Sequence, residues 1–434
     1  MTNLSKHLPT TEENSPATEN DVPEGAPYLL GAFPKPVALP IPRSGDVVGR
    51  GWLDDVGVTD AKVSREHISF SRPGGRLHIE DLRSQNGTFV DGIKLGPNEP
   101  TQIDDGSIIR IGQTIFVYRE AFIGPAKPAP PLGKLVSPWA LEKIRRDLAS
   151  RRPIDGLNVL LEGPTGTGKE LLAEAVACAM SRPKMVPVNV AAVPRESFEG
   201  YMFGWEKNSF TGGGNAYDGL LRQAAGGTVF LDEIEALPVD LQPKLLRFLE
   251  KREVQPLGAR SLPPPVKCLV VGATNRSIQE LLTKDAFRRD IVARFQLRFS
   301  IPSLEDRPED LFAILTARWE QLHGKLDLAV TRVDAEAIDR LMRHDWPENV
   351  RELFRFVDNL DHHAGIKKST VDRWLGPELH VPASRRSSVL TRETVDKAIA
   401  DCGGNQTKAA KSLNVSRPQL LRWIKKNGKA GMLE

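Results

Sequence analysis

Gly163-Pro-Thr-Gly-Thr-Gly-Lys169, preceded by the apolar run Asn158-Val-Leu-Leu161 and followed by a helical pattern over Lys169–Met180, decides the fold of the middle of this chain. A strand, a glycine-rich turn and a helix in that order make a phosphate-binding loop. Glycines let consecutive backbone N–H groups turn onto phosphate oxygens, the helix N-terminus adds positive potential, and Lys169 reaches the terminal phosphates. Gly163, Pro164, Thr165, Gly166, Thr167, Gly168 and Lys169 are therefore candidate ATP contacts. The hydroxyl residue usual after the lysine is replaced by Glu170. Further on, Val229-Phe-Leu231 runs into Asp232-Glu233. An acid at such a strand end can hold Mg²⁺ through water (Asp232), and its neighbour can polarise the attacking water (Glu233).

Working outward, Thr228–Leu231 and Val266–Val271 are apolar runs of the kind found in buried parallel strands, and Leu241–Arg252 has helical periodicity. The expected core is a doubly wound α/β unit over 135–302, followed by an all-helical lid over 303–375. Upstream, short β-rich stretches such as His67–Phe70, Leu77–Ile79 and Ile108–Ile111 are separated by Gly, Asp and Asn clusters, which predicts an all-β sandwich over 26–122. A Pro-rich stretch over 123–134 reads as a stiff, extended linker. Residues 1–25 are expected to be disordered, 376–389 form a second linker, and 390–434 form a final all-α unit. The fold class is multidomain.

The 434 residues, 40% hydrophobic and 26% charged, are ordinary for globular chains, and a net charge of +3 names no partner. The distribution is more telling: Gly404 to Gly431 carries Lys408, Lys411, Arg417, Arg422, Lys425, Lys426 and Lys429 without a carboxylate side chain, which favours a polyanion. No apolar run is long enough for a membrane span, and the N-terminus lacks a signal-peptide pattern, so a cytoplasmic location is expected. Cys178, Cys268 and Cys402 have neither zinc spacing nor an even count, and read as buried small apolar residues.

Residues 135–375 resemble the AAA+ domain of sigma-54-dependent activators, the bacterial enhancer-binding proteins. The resemblance rests on Glu170 after the loop lysine, on Gly226-Gly-Thr-Val-Phe-Leu-Asp-Glu-Ile234, on Ala273-Thr274-Asn275-Arg276, on Phe287–Arg294 and on Trp346-Pro-Glu-Asn-Val-Arg351-Glu-Leu353. It implies that Asn189 restrains the catalytic Glu233 until ATP is sensed and that Thr274 and Asn275 belong to sensor I at the nucleotide. Arg288 and Arg294 become fingers reaching a neighbouring subunit's nucleotide, and Arg351 contacts nucleotide. Glu348 stands where that family usually has Gly. Arginine supplied in trans makes turnover depend on a homo-oligomeric ring, a hexamer by resemblance. The family's Gly-Ala-Phe-Thr-Gly-Ala loop corresponds to Asn208-Ser209-Phe210-Thr211-Gly212-Gly213, which implies sigma-54 contact through Phe210, Thr211 and Gly212.

Residues 26–122 resemble a forkhead-associated (FHA) domain through Gly49-Arg50, Val63-Ser64-Arg65-Glu-His67 and Asp81–Gly92. Their chemistry suits a phosphothreonine-containing protein: Arg50 forks onto phosphate, Ser64 donates a hydroxyl, Arg65 adds a cation and Asn86 clamps peptide backbone. His67 reads as a loop-fixing core residue, and Asp91 stands where Asn is common. Thr391–Gly428 resembles a Fis-type helix-turn-helix for double-stranded DNA. Leu420 and Ile424 face inward there, leaving Arg417, Gln419 and Arg422 for base edges or phosphates, and Lys425 and Lys426 for backbone phosphates. Together these features predict an ATP- and Mg²⁺-dependent activator that remodels sigma-54 RNA polymerase under phosphothreonine control. Two alternatives stay open: a DNA-bound AAA+ regulator whose altered loop no longer engages sigma-54, and a phosphopeptide scaffold with a vestigial ATPase.

Overall fold

The computed structural model describes residues 25–125, 127–154, 156–207, 209, 215–261, 263–283, 287–361, 365–376, 392–401, 409, 412–413, 420 and 424. The first unit is a two-sheet β-sandwich. Six strands lie in the order Val37–Pro40, Ala26–Phe33, Thr114–Phe122, Ile108–Ile111, Thr88–Val90 and Ile93–Lys94; four lie in the order Val47–Val48, Ile68–Ser71, His78–Asp81 and Thr101–Gln102. Alternation sets the inner faces: Ile68 and Phe70, then Ile79 and Asp81, are buried while their neighbours are half-buried. Leu29, Val48, Ile109, Ile111 and Phe116 complete this core.

The second unit is a parallel sheet ordered Met185–Asn189, Thr228–Asp232, Leu269–Thr274, Asn158–Glu162 and Leu297–Ser300. Its central strands are apolar because helices cover both faces, giving two cores, one around Leu172 and Val271 and one around Phe248 and Ile291. The strand expected to begin at Val266 begins at Leu269, the residue that meets Thr228 at the start of the neighbouring strand. Val266 and Cys268 are buried in the approach to it. The expectation for the cysteines holds for Cys268, whose thiol is pushed up to about 11 by burial. It fails for Cys178, which lies on the solvent side of the helix Lys169–Ala179. Cys402 lies outside the described residues.

The lid contains the helices Leu311–His323, Leu328–Thr331, Ala335–Met342, Asn349–Asp358 and Lys368–Leu375. Its core is not its own. Ala32, Phe33, Ile108, Ile115 and Val117 of the β-sandwich join Leu311, Phe312, Leu315, Ile338 and Leu341 of the lid in one apolar cluster, with Phe33 edge-on to Phe312 at 4.8 Å between centroids. Charge completes the seam. Asp339 is shared between Arg110 of the sandwich (3.4 Å) and Arg343 of the lid (3.2 Å), and Arg119 pairs with Glu309 at 2.5 Å. The chain between the two units does not hold them apart as a stiff spacer. Just beyond it, Trp139 is buried against Phe122, and its backbone N–H and the Ser137 hydroxyl both donate to Asp310.

Towards the C-terminus, Val395 and Ala398 of the helix Arg392–Asp401 pack with Ala409 and Leu420, and Ile399, Leu413 and Ile424 flank them. Leu420 and Ile424 therefore face inward, as their four-residue spacing predicted. The predicted DNA contacts Arg417, Gln419, Arg422, Lys425 and Lys426 lie outside the described residues. Among the described residues no helix is long and apolar enough to cross a membrane.

Candidate nucleotide and phosphopeptide sites

The carboxyl ends of the three middle strands converge, which is where open parallel sheets place their ligands. From the first, the chain enters the Gly163–Lys169 loop; Asp232 ends the second; Thr274 ends the third. Lys169 is 7% exposed, and its ammonium donates to Gly163 O (2.7 Å), Pro164 O (3.1 Å) and Asn275 Oδ1 (2.6 Å). Burial lowers its pKa, opposed by the nearby carboxylates of Asp232, Glu235 and Glu233. A buried cation facing three acids at a helix N-terminus has the donor set and potential for a magnesium-bound polyphosphate: Lys169 and loop N–H groups for phosphate oxygens, carboxylate oxygen for a hard cation.

Gly166 has φ +79°, and a Cβ there would sit 2.1 Å from Glu348 O, so only glycine lets the loop pass under the lid. Arg351 stands over the same glycine. The glycine usual at 348 is dispensable here because Glu348 has φ −105°. Its carboxylate instead pairs with Arg355 at 2.8 Å. Asn189 is placed beside Asp232 by strand register, and its Oδ1 accepts from Ala192 N–H (3.1 Å) rather than engaging Glu233. Glu233 itself has φ +54°, the kind of strained backbone that concentrates at functional sites. Arg288 and Arg294 lie exposed, paired with Asp290 (2.7 Å) and Glu250 (2.6 Å). Glu170 is exposed on the first turn of its helix. Phe210, Thr211 and Gly212 lie outside the described residues, but the base of their loop is built: Trp205 and Tyr217 pair backbone to backbone, with their rings tilted by 36° at 4.6 Å between centroids.

In the β-sandwich, Arg50, Ser64 and Asn86 gather around one loop. Arg50 donates to Val63 O (3.1 Å) and Ala61 O (3.2 Å), Asn86 to Lys62 O (2.6 Å), and Ser64 Oγ accepts from Gln85 N–H (3.1 Å). Gly49 is required by contact, since a Cβ there would lie 1.8 Å from Arg65 O; the Arg65 side chain is exposed. Asp81 braces the 81–88 loop, accepting from Ser84 and Thr88 hydroxyls at 2.6 Å. Burial opposes its ionisation, but those hydrogen bonds prevail and hold the carboxyl below its usual range. Asp91 serves where Asn is common: its Oδ1 accepts from Ile108 N–H at 2.9 Å.

His67 is fully buried, and its Nδ1 accepts from Ser64 N–H at 3.0 Å. Nδ1 is then the bare nitrogen, and Nε2–H faces Gly87 O at 3.4 Å. Burial lowers its pKa below 6.5, opposed by the Gly87 carbonyl, Asp81 and Asp60. A folded-state pKa below the unfolded one gives stability that is present above about pH 6.5 and is lost as pH falls through the folded value. The melting temperature is therefore expected to drop with acidification below pH ~6.5. His67→Gln, which cannot charge, should flatten that slope; equal slopes in both proteins would refute the assignment.

Four family models match consecutive stretches: the sigma-54 interaction domain at 138–299, the FHA domain at 47–112, the AAA+ ATPase lid domain at 305–371, and the bacterial regulatory protein, Fis family, at 392–426. The DNA-binding transcriptional regulator NtrC of Bradyrhizobium sp. (strain RP501 Parasponia) is 36% identical over 363 residues, 78% of this chain and 72% of that protein. The chain belongs to the NtrC-like sigma-54 activators. Another relative, the DNA-binding transcriptional activator HyfR of Escherichia coli K12, is 37% identical over 243 residues; the match takes in 53% of this chain but only 36% of HyfR. Among solved structures, NtrX of Brucella abortus in complex with ADP aligns at a TM-score of 0.48 and 23% identity, over 67% of this chain and 68% of that one.

In this NtrC-like chain Lys169, Asp232, Glu233, Thr274, Asn275 and Arg351 lie at one site, and three further residues there carry no local sequence pattern. Glu235 accepts from Asn275 N–H at 3.1 Å, and its only signal was proximity to Asp232-Glu233. Arg307 and Asn349 reach the phosphate loop from the lid, donating to Thr167 O (3.1 Å) and Thr165 O (2.9 Å). Contacts between elements 140 or more residues apart leave no local periodicity to read.

Proposed function

We propose that this chain is an ATP-driven regulator that remodels sigma-54 RNA polymerase from DNA, gated by phosphothreonine recognition through its FHA domain. The observation that carries the reading is the Lys169–Asn275 contact at 2.6 Å beside Asp232 and Glu233, on a chain that also gathers Arg50, Ser64 and Asn86 at one loop. Units at 26–122, 135–302, 303–375 and 390–434 divide the labour, in a cytoplasmic homo-oligomer, a hexamer by resemblance.

In the ATPase step, Lys169, the backbone N–H groups of Thr165, Gly166 and Gly168, and Arg351 bind and orient the phosphates. Mg²⁺, when bound with ATP and held by Asp232, supplies charge neutralisation at the phosphates. Glu233 takes the proton side of the attacking water; for Asn189 to withhold it until nucleotide is sensed through Thr274 and Asn275, its side chain must leave the Ala192 N–H that it accepts from here. Arg288 and Arg294 act on a neighbouring copy, breaking their present pairs with Asp290 and Glu250. Phe210, Thr211 and Gly212 carry the movement to sigma-54, and Arg417, Gln419, Arg422, Lys425 and Lys426 hold DNA.

The test is transcription from a supercoiled sigma-54 promoter by the purified chain with ATP, with and without a phosphothreonine peptide library. ATP-dependent open complexes are expected; none under any condition would sink the reading. A second reading is motivated by Asn208, Ser209 and Gly213 replacing the usual Gly and Ala residues of the loop. It makes the chain a DNA-bound AAA+ regulator without sigma-54 contact, and predicts no capture of sigma-54 in the presence of an ATP transition-state mimic.

Phosphopeptide recognition has its own expected outcome. Arg50→Ala removes a charge-assisted fork and should weaken binding of phosphothreonine peptides by about tenfold or more, with ATP turnover in the absence of peptide unchanged. Titration of the same peptide into wild type and variant decides it, and equal affinities would remove Arg50 from the site.

A further inference from the structure

Three successive carbonyls of the phosphate loop are held from the lid. Asn349 Nδ2 donates to Thr165 O (2.9 Å), Val350 N–H to Gly166 O (3.0 Å) and Arg307 Nη2 to Thr167 O (3.1 Å). A peptide plane carries its carbonyl and the following N–H on opposite sides. Holding Thr167 O toward the lid therefore turns the Gly168 N–H the other way, into the concavity that receives phosphate.

Arg307 is fully buried, and its charge is balanced by Asp310 and Glu309. That pair of acids is anchored from elsewhere. Glu309 receives Arg119 through Nε (3.1 Å) and Nη2 (2.5 Å), and Arg119 Nη2 also donates to Asp306 O (2.8 Å). Asp310 accepts from Ser137 Oγ (2.5 Å) and Trp139 N–H (3.1 Å). The turn that presents Arg307 is thus clamped at 306, 309 and 310, and two of the three clamps come from Arg119 on a strand of the FHA domain.

We propose that Arg307 is a positioning residue for the phosphate loop and that Arg119 of the FHA domain sets its placement. Nucleotide affinity then depends on a contact made by a domain that never touches nucleotide. The proposal rests on the ATPase reading above.

The test uses the full chain, with ATP binding by calorimetry, KM and kcat for ATP, and thermal unfolding as a control. Arg307→Lys keeps the charge beside Glu309 and Asp310 but loses the Nη2 donor that holds Thr167 O, and should raise the Kd and KM for ATP about tenfold while kcat stays within about twofold. Arg119→Gln should raise Kd by about threefold or more, and Arg119→Lys, which keeps the charge facing Glu309, should recover most of that loss. A uniform loss of stability without this split between KM and kcat would mark the contacts as structural only and overturn the proposal. If Arg307→Lys does not fold, the two Arg119 variants decide, since that side chain is 17% exposed and lies at the seam's margin. Wild type that binds ATP while the folded variants bind it equally well defeats this proposal alone. Wild type that binds no ATP defeats the ATPase reading first, and this one with it.

Discussion

Lys169→Ala is expected to cut ATP turnover by about a hundredfold to a thousandfold, the cost of removing one positioned charge from a desolvated transition state. The lysine is the buried cation of the site. Its ammonium is held by two loop carbonyls and Asn275 Oδ1, with Asp232, Glu233 and Glu235 close by. Alanine removes the buried counter-charge of those acids and the ammonium that Gly163 O and Asn275 Oδ1 accept from, so the affinity for polyphosphate falls as well. Phosphate release by the purified variant measures the effect, and circular dichroism separates it from misfolding. A variant that hydrolyses ATP at the wild-type rate would place the reaction elsewhere, and would make this pocket a vestige on a phosphopeptide scaffold.

The second large effect is expected at Phe210. Truncating a central aromatic of a protein contact commonly costs enough to lower affinity about a hundredfold, so Phe210→Ala should abolish promoter opening while leaving ATP turnover within about twofold. That split is the signature of a coupling residue. The Trp205–Tyr217 clasp at the base of the loop is unaffected by the change, so the rest of the loop keeps its attachment. Open-complex formation on a sigma-54 promoter, set beside phosphate release in the same preparation, gives both numbers. Undiminished opening would transfer the contact to other residues.

Much of this was legible because its signals are local. The loop at Gly163–Lys169 sits between its strand and helix, and Asp232 ends an apolar run. Period-two alternation through Ile68, Phe70, Ile79 and Asp81 marks the sandwich, and Leu420 with Ile424 marks an inward helix face. His67 was readable as a loop brace because a histidine between strands has few other uses, and Ser64 N–H is its partner. What was not legible is long-range. Phe33, Ile115 and Val117 are apolar strand residues that no local pattern separates from their neighbours, yet they face the lid and not their own sandwich. Nothing near Arg119 or Arg110 in sequence announces Glu309 or Asp339. A Pro-rich connection reads as a stiff, extended linker, whereas Trp139 just past it is buried on the sandwich. Glu348 departs from the resembling motif because its backbone never enters the conformation that demands glycine.

The shared core of sandwich and lid has a consequence for shortened versions of the protein. A chain beginning near residue 135 would bring Phe312, Leu315 and Leu341 into water along a flank that Phe33, Ile115 and Val117 otherwise cover, would leave Glu309 without Arg119, and would leave Asp339 with Arg343 alone. Such a fragment is expected to be sticky and poorly soluble. Its inactivity would then report a stripped surface and not a missing signal, and a surface-preserving change at Arg50 is the cleaner way to silence the input.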